Sequence, residues 1–185
     1  MKKVLPILAL CALGSASILS AAGTSSNPMV GGQAMAPMKD IVSNAVNSAD
    51  HTTLVAAVKA AGLVPTLQGK GPFTVFAPTN NAFAALPAGT VDSLLKPESK
   101  SALTSVLTYH VVAGRIDAAE LMKRIRSGGG TAELKTVNGE GLWAMMNGPR
   151  NIVLKDAKGN VASISTYDVY QSNGVIHVID RVLMP

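Results

Sequence analysis

The sequence predicts an α+β domain, and three observations predict it. Residues 38–127 carry short capped segments with apolar side chains at helical spacing. Residues 131–184 carry short apolar strands separated by turn residues. Between the two patterns, residues 73–86 join a strand to a helix. Helices followed by a run of hairpins point to α+β, not to alternating βαβ units.

The chain opens with Met1-Lys2-Lys3, then an apolar run, then the small residues Ser20-Ala21-Ala22. This is the pattern of a secretory signal peptide over residues 1–22. The run is shorter than the roughly 20 apolar residues of a membrane-spanning helix. Cleavage near Ala22 removes Cys11, the chain's single cysteine. Disulfides, thiol catalysis and Cys-bound metals are thereby excluded from the mature protein. Cleavage also removes Lys2 and Lys3, so the formal charge of +5 falls to +3. That excess is modest and is no nucleic-acid footprint. Residues 23–37, rich in Gly, Ser, Ala and Pro, read as a flexible leader. One domain is expected over residues 38–185, with no internal repeat.

Within that domain Asp40 and Asp50 are each placed to cap a short helix, and Gly62 to end the second. Phe73, Val75 and Ala77 alternate with Thr74 and Phe76, the period of a strand. Pro78 stops the ladder, and Thr79 is placed to cap the helix that follows. Pro97 opens a further helix, whose Leu103, Val106, Leu107 and His110 form one stripe. Asp117 and Glu120 resemble a capping box. That helix should end at Gly128-Gly129-Gly130, with Lys123, Arg124 and Arg126 near its negative end. Strands follow over 131–137, 142–146, 151–155, 161–170 and 175–184, with Asn138-Gly139 and Asn173-Gly174 as type I′ turn candidates. The last strand is apolar on both faces and is expected to be central.

Three of these segments together resemble the fasciclin domain family. They are Thr74-Val75-Phe76-Ala77-Pro78-Thr79-Asn80 with Ala82-Phe83, Leu107-Thr108-Tyr109-His110-Val111-Val112, and Asn173-Gly174-Val175-Ile176-His177-Val178-Ile179-Asp180. The likeness spans residues 39–185, and the sequence departs from the pattern at Asn81 and at Gly128 to Gly130. It implies helices packed on a wedge of two β-sheets. It also implies a non-catalytic adhesion or interaction role outside the cell, as in the small secreted single-domain fasciclin proteins of bacteria. In animal members the Tyr-His segment and an Asp-Ile pair are implicated in integrin contact. The corresponding residues here are Tyr109-His110 and Asp168-Val169.

Catalytic readings find little to stand on. The sequence has no Gly-x-Ser-x-Gly, no phosphate or dinucleotide loop, and no paired zinc-type histidines. No metal and no cofactor is expected. His110 and His177 read as buried, hydrogen-bonded core histidines. Phe73, Phe76 and Phe83 are expected to pack together near the Tyr-His helix end. The function expected is a secreted or periplasmic interaction module that binds a protein or extracellular-matrix partner. Asn80, Tyr109, His110 and Asp168 are its candidate contact residues. The alternative is a carrier of an apolar small molecule such as a pigment or lipid. Met122, Met145, Met146 and Met184 with Trp143 would then line an adaptable groove.

Overall fold

A computed structural model describes residues 27–185. The expected signal peptide and residues 23–26 lie outside the described residues. From Asn27 on, the stretch read as a leader is packed on the domain. It forms a small hairpin of β1 (Met29–Val30) and β2 (Gln33–Ala34), and Val30 and Met35 are buried in the core. Two apolar side chains reach that core from a segment that otherwise reads as a linker, which is why composition alone missed it.

The helices come next. They are α1 (Ile41–Ala45), α2 (Thr52–Ala61), α3 (Val64–Leu67), α4 (Asn80–Ala84), α5 (Thr90–Leu94), α6 (Lys100–Tyr109) and α7 (Ala118–Ser127). Asp40 caps α1 through the Ser43 amide, and Gly62 ends α2 in the left-handed region. Asp117 caps α7 through the Glu120 amide. The Glu120 carboxylate turns instead to Arg124, 2.9 Å away, so only half of the capping box forms.

The strands are β3 (Phe73–Pro78), β4 (Val111–Ala113), β5 (Thr131–Lys135), β6 (Gly141–Asn147), β7 (Asn151–Lys155), β8 (Val161–Gln171) and β9 (Gly174–Ile179). Their order is β4-β3-β9-β8-β7-β6-β5. Among the described strands only β3 and β9 pair in parallel, with Phe76 opposite His177. β8 pairs with β7 through Val161 to Ser163 and with β9 from Ile164 on, and the β9 pairing shifts register between Ile164 and Val169. The seven strands thus form one continuous mixed sheet, where the resemblance implied a wedge of two. A bridge from Val112 to Thr136 then brings the two ends of the order together and nearly closes the sheet.

β3 and β9 form a wall with a core on each face. Val75, Ala77, Ile176 and Val178 face α1, α2, α4 and α6. Phe76 and Ile179 face the barrel interior with Tyr109, Leu142, Leu154 and Leu183. The alternation read in the last strand thus holds. The three phenylalanines do not gather, because Phe73 and Phe83 sit on the helix side and Phe76 on the barrel side.

Neither expected type I′ turn forms, since that turn needs positive φ at both central residues and Asn138 and Asn173 lack it. Gln171 pairs with Gly174, so the two-residue loop is Ser172-Asn173. Gly174 opens β9, and the position must be glycine because a Cβ there would fall 2.1 Å from the Phe73 carbonyl oxygen. The last strand ends at Ile179, and Val182 to Met184 continue as a packed tail outside the ladder.

Candidate functional site

Asn80 stands at the first position of α4, just after the Thr79 cap. Its Oδ1 accepts from the Thr53 amide (3.0 Å) and the Thr52 hydroxyl (3.2 Å). Its Nδ2 donates to the Ala49 carbonyl (2.8 Å). Asn80 therefore caps α2 from another element, in the role expected of Asp50. Asp50 makes no side-chain cap, because a 3-10 turn over Ala49–His51 precedes the helix.

Tyr109 is fully buried and His110 is 3 % exposed, so neither offers surface to a partner. The Tyr109 hydroxyl donates to the Gly141 carbonyl (2.8 Å) and accepts from the Ala157 amide (3.1 Å). It ties α6 to two hairpins of the barrel, and burial pushes its phenol up. His110 Nδ1–H donates to the Val106 carbonyl (2.8 Å), and Nε2 accepts from the Leu183 amide (3.0 Å). These partners fix one neutral tautomer. Burial lowers its pKa to about 4.

Asp168 sits in the β8 irregularity with φ of 56°, the one non-glycine residue at positive φ among those described. Its carboxylate accepts from the Ala118 amide (2.7 Å) at the start of α7. Its own amide donates to His177 Nδ1 (3.3 Å), and His177 Nε2–H donates to the Ile116 carbonyl (2.9 Å). The His177 ring stacks on Phe76 at 5.7 Å. Burial lowers the His177 pKa, outweighing the Ile116 bond and the Asp168 and Asp117 charges. Asp168 and His177 thus share one network. Among the described residues no hydrogen bond links it to Asn80 or to Tyr109-His110.

Sequence reading missed a further hub. Asn173 Oδ1 accepts from the Ile41 amide (3.1 Å), and Nδ2 donates to the Leu67 and Gly69 carbonyls (2.7 and 3.0 Å). The residue type pointed to a turn, and only the tertiary fold brings α1 and α3 to it.

On the helix side lies an apolar cavity of about 70 Å³, walled by Leu54, Val58, Val75 and Ile176 and covered by Val30 and Met35. That is well below the roughly 300–1,000 Å³ of pockets for cofactor-sized ligands. His51 lines it and is 3 % exposed. Its Nδ1 lies 2.8 Å from the Ser48 hydroxyl, and its Nε2 has no hydrogen-bond partner. Burial lowers its pKa against the opposing pull of the Ala77 backbone and the Asp50 charge. The expected methionine groove does not assemble. Met122 and Met146 pack toward the barrel and Met184 toward the helices. Trp143 and Met145 alternate with the barrel-facing Leu142 and Ala144 of β6 and so lie on its other face.

Among the described residues no group of three or more His, Cys, Asp or Glu is placed to hold a metal. No described helix is long and apolar enough to cross a membrane.

The family model of the fasciclin domain matches residues 49–185. The chain belongs to the fasciclin domain family. Protein sll1483 of Synechocystis sp. is 52 % identical over 147 residues, which cover 78 % of this chain and 73 % of that protein. The cell surface glycolipoprotein MPB83 of Mycobacterium bovis is 34 % identical over 166 residues, 90 % of this chain and 64 % of that one. A FAS1 domain pair from the insect cell adhesion molecule Fasciclin I superposes with a TM-score of 0.69 at 17 % identity. That match covers 80 % of this chain and about half (51 %) of the insect one, and it speaks for the fold. The hairpin β1–β2 and α1 precede the matched fasciclin segment.

Proposed function

We propose that this fasciclin domain is a secreted or periplasmic interaction module that binds a protein or matrix partner without catalysis. The observation that carries the reading is the use made of the polar side chains in the three matched segments. Tyr109, His110, His177 and Asn173 are all buried and all bonded to backbone groups of other elements or of their own helix. Groups engaged in this way hold loops in place and are not free to turn over a substrate. In this proposal Asn80 and Asp168, both partly exposed, shape the surface that meets the partner, and Tyr109 and His110 support it from inside. The relatives support the same class of role, since MPB83 is a cell surface glycolipoprotein and Fasciclin I an insect cell adhesion molecule.

Two measurements test it. Fractionation with N-terminal sequencing should find the protein outside the cytoplasm, beginning near Gly23. Beads coated with the mature protein should retain an envelope or matrix component saturably, with soluble protein as competitor. Protein confined to the cytoplasm, or retention that soluble protein does not compete, would overturn the proposal.

A further inference from the structure

We propose that the cavity beneath the N-terminal hairpin binds a small apolar molecule bearing one hydrogen-bonding group, with His51 Nε2 as its polar contact and β1–β2 as its cover. The walls are almost wholly apolar; of the polar side chains on the lining, Lys59 and Thr66 stand at the exposed rim and the buried ones other than His51 are bonded. His110 has both ring nitrogens bonded, and the Thr108 hydroxyl donates to the Thr104 carbonyl. Among the described residues His51 Nε2 is the one buried side-chain nitrogen or oxygen without a hydrogen bond of good geometry, although the Ala77 backbone acts on the ring. A buried donor or acceptor left unpaired costs about 1–3 kcal/mol, so its occupant should be one that answers it. Water fits poorly here, because a buried water takes about two to four polar partners and would find one. An apolar body with a single polar tip satisfies both the walls and the ring.

The tip is best a hydroxyl. The Ser48 hydroxyl can donate to Nδ1 or accept from it, which leaves Nε2 as donor or acceptor in turn. A hydroxyl meets either case. A volume of about 70 Å³ is less than half the roughly 150 Å³ of an engineered cavity that takes benzene. The site therefore suits a chain of a few atoms, and anything longer must move the cover.

That cover is built to hold and to lift. Val30 and Met35 close the cavity from either side of the Gly31-Gly32 turn. Gly31 sits on the residue that holds His51, since a Cβ there would fall 2.5 Å from the Ser48 hydroxyl. Asn27 pins the near end through both backbone groups of Tyr170, and Asn44 pins the far end through both backbone groups of Ala36. This hairpin lies before the segment that the family model matches, so the cover is a feature of this chain beyond that segment.

The test is an NMR titration of the ¹⁵N,¹³C-labelled protein with 1-butanol, with xenon as the purely apolar probe. Both should shift the methyl signals of Leu54 and Val58. Only 1-butanol should move the His51 ring nitrogens, leaving those of His110 and His177 in place. His51→Leu should weaken 1-butanol about tenfold and leave xenon unchanged. Asn27→Ala should extend binding to 1-hexanol. A long-lived water at Nε2 in the free protein, or 1-butanol saturation without movement of the His51 nitrogens, would overturn the proposal. Both readouts use the unsubstituted protein, so they decide even where a variant does not fold.

Discussion

On the barrel side of the β3–β9 wall, Leu142, Ala144, Leu154, Ala162 and Ile179 have no exposed surface, and the Tyr109 hydroxyl makes two hydrogen bonds. On the helix side, the same wall borders a cavity and an unpaired imidazole nitrogen. Closely packed, fully bonded interiors resist change, whereas slack in a core is where a ligand or a moving segment can be accommodated. The two sides thus divide the labour of one small domain. The barrel keeps the shape, and the helical layer with its N-terminal hairpin keeps room.

The severest break of this arrangement is at the wall itself. Gly174→Ala places a Cβ 2.1 Å from the Phe73 carbonyl oxygen and 3.0 Å from Ile41 Cδ1. Backbone on one side and packed core on the other leave no direction of relief. We expect a loss of more than about 4 kcal/mol, read as a collapse of the urea midpoint or as failure to fold. A tolerated substitution would mean that the parallel pair is looser than the comparison requires.

Acid is the second lever, and it acts through the seams. Each of His110 and His177 accepts from one backbone amide and donates to one carbonyl, so a second proton removes an acceptor. The folded state holds that proton less tightly than the unfolded chain, whose histidines titrate near 6.5. The stability is therefore complete above pH 6.5 and is lost as the pH falls from 6.5 through about 4. His110 alone accounts for about 3 kcal/mol across that window. Urea melts at pH 7 and pH 4.5 should show the fall, and His110→Gln should flatten it. An equal fall in the variant would remove the seam from the account.

Much of this arrangement was legible in advance. The period-2 pattern of β3 and β9 gave their two buried faces, and the Pro78-Thr79 junction gave the start of α4. The unread parts share one cause, partners distant in sequence. Asn80 caps a helix that begins 28 residues earlier. Asn173 reaches α1 across 132 residues, and no local pattern distinguishes it from a turn asparagine. The covering hairpin hid in a Gly/Ser/Pro-rich stretch because two apolar residues are too few to make a period. Of the candidate contact residues, burial of His110 followed from its place in the apolar stripe of α6. The cross-element ties of Asn80 and Asp168 did not follow from sequence.

A direct measure of the contrast adds carbon to each side. Ala144→Val enlarges a fully buried side chain inside the barrel and should cost about 1–3 kcal/mol. Val58→Ile extends into the cavity and should stabilise by up to about 0.8 kcal/mol. Opposite signs in paired thermal melts sharpen the comparison, and equal signs break it. The same isoleucine should weaken 1-butanol, since it fills the proposed site.

The smallest expected effect separates shape from contact at Asp168. Its φ of 56° is a region that Asp and Asn tolerate and alanine does not, and its carboxylate accepts from the Ala118 amide. Asp168→Asn keeps both the backbone preference and an acceptor. It loses only a charge near the start of α7, a matter of a few tenths of a kcal/mol. Asp168→Gly relieves the backbone but drops the acceptor, and Asp168→Ala drops the acceptor while keeping the strain. The order of stability should be Asp, Asn, Gly, Ala, with alanine lower by about 1–2 kcal/mol. If partner retention follows that order, Asp168 acts by holding the junction of β8 and α7. Should asparagine instead abolish retention at unchanged stability, the carboxylate itself meets the partner, and this edge of the barrel side joins the functional surface.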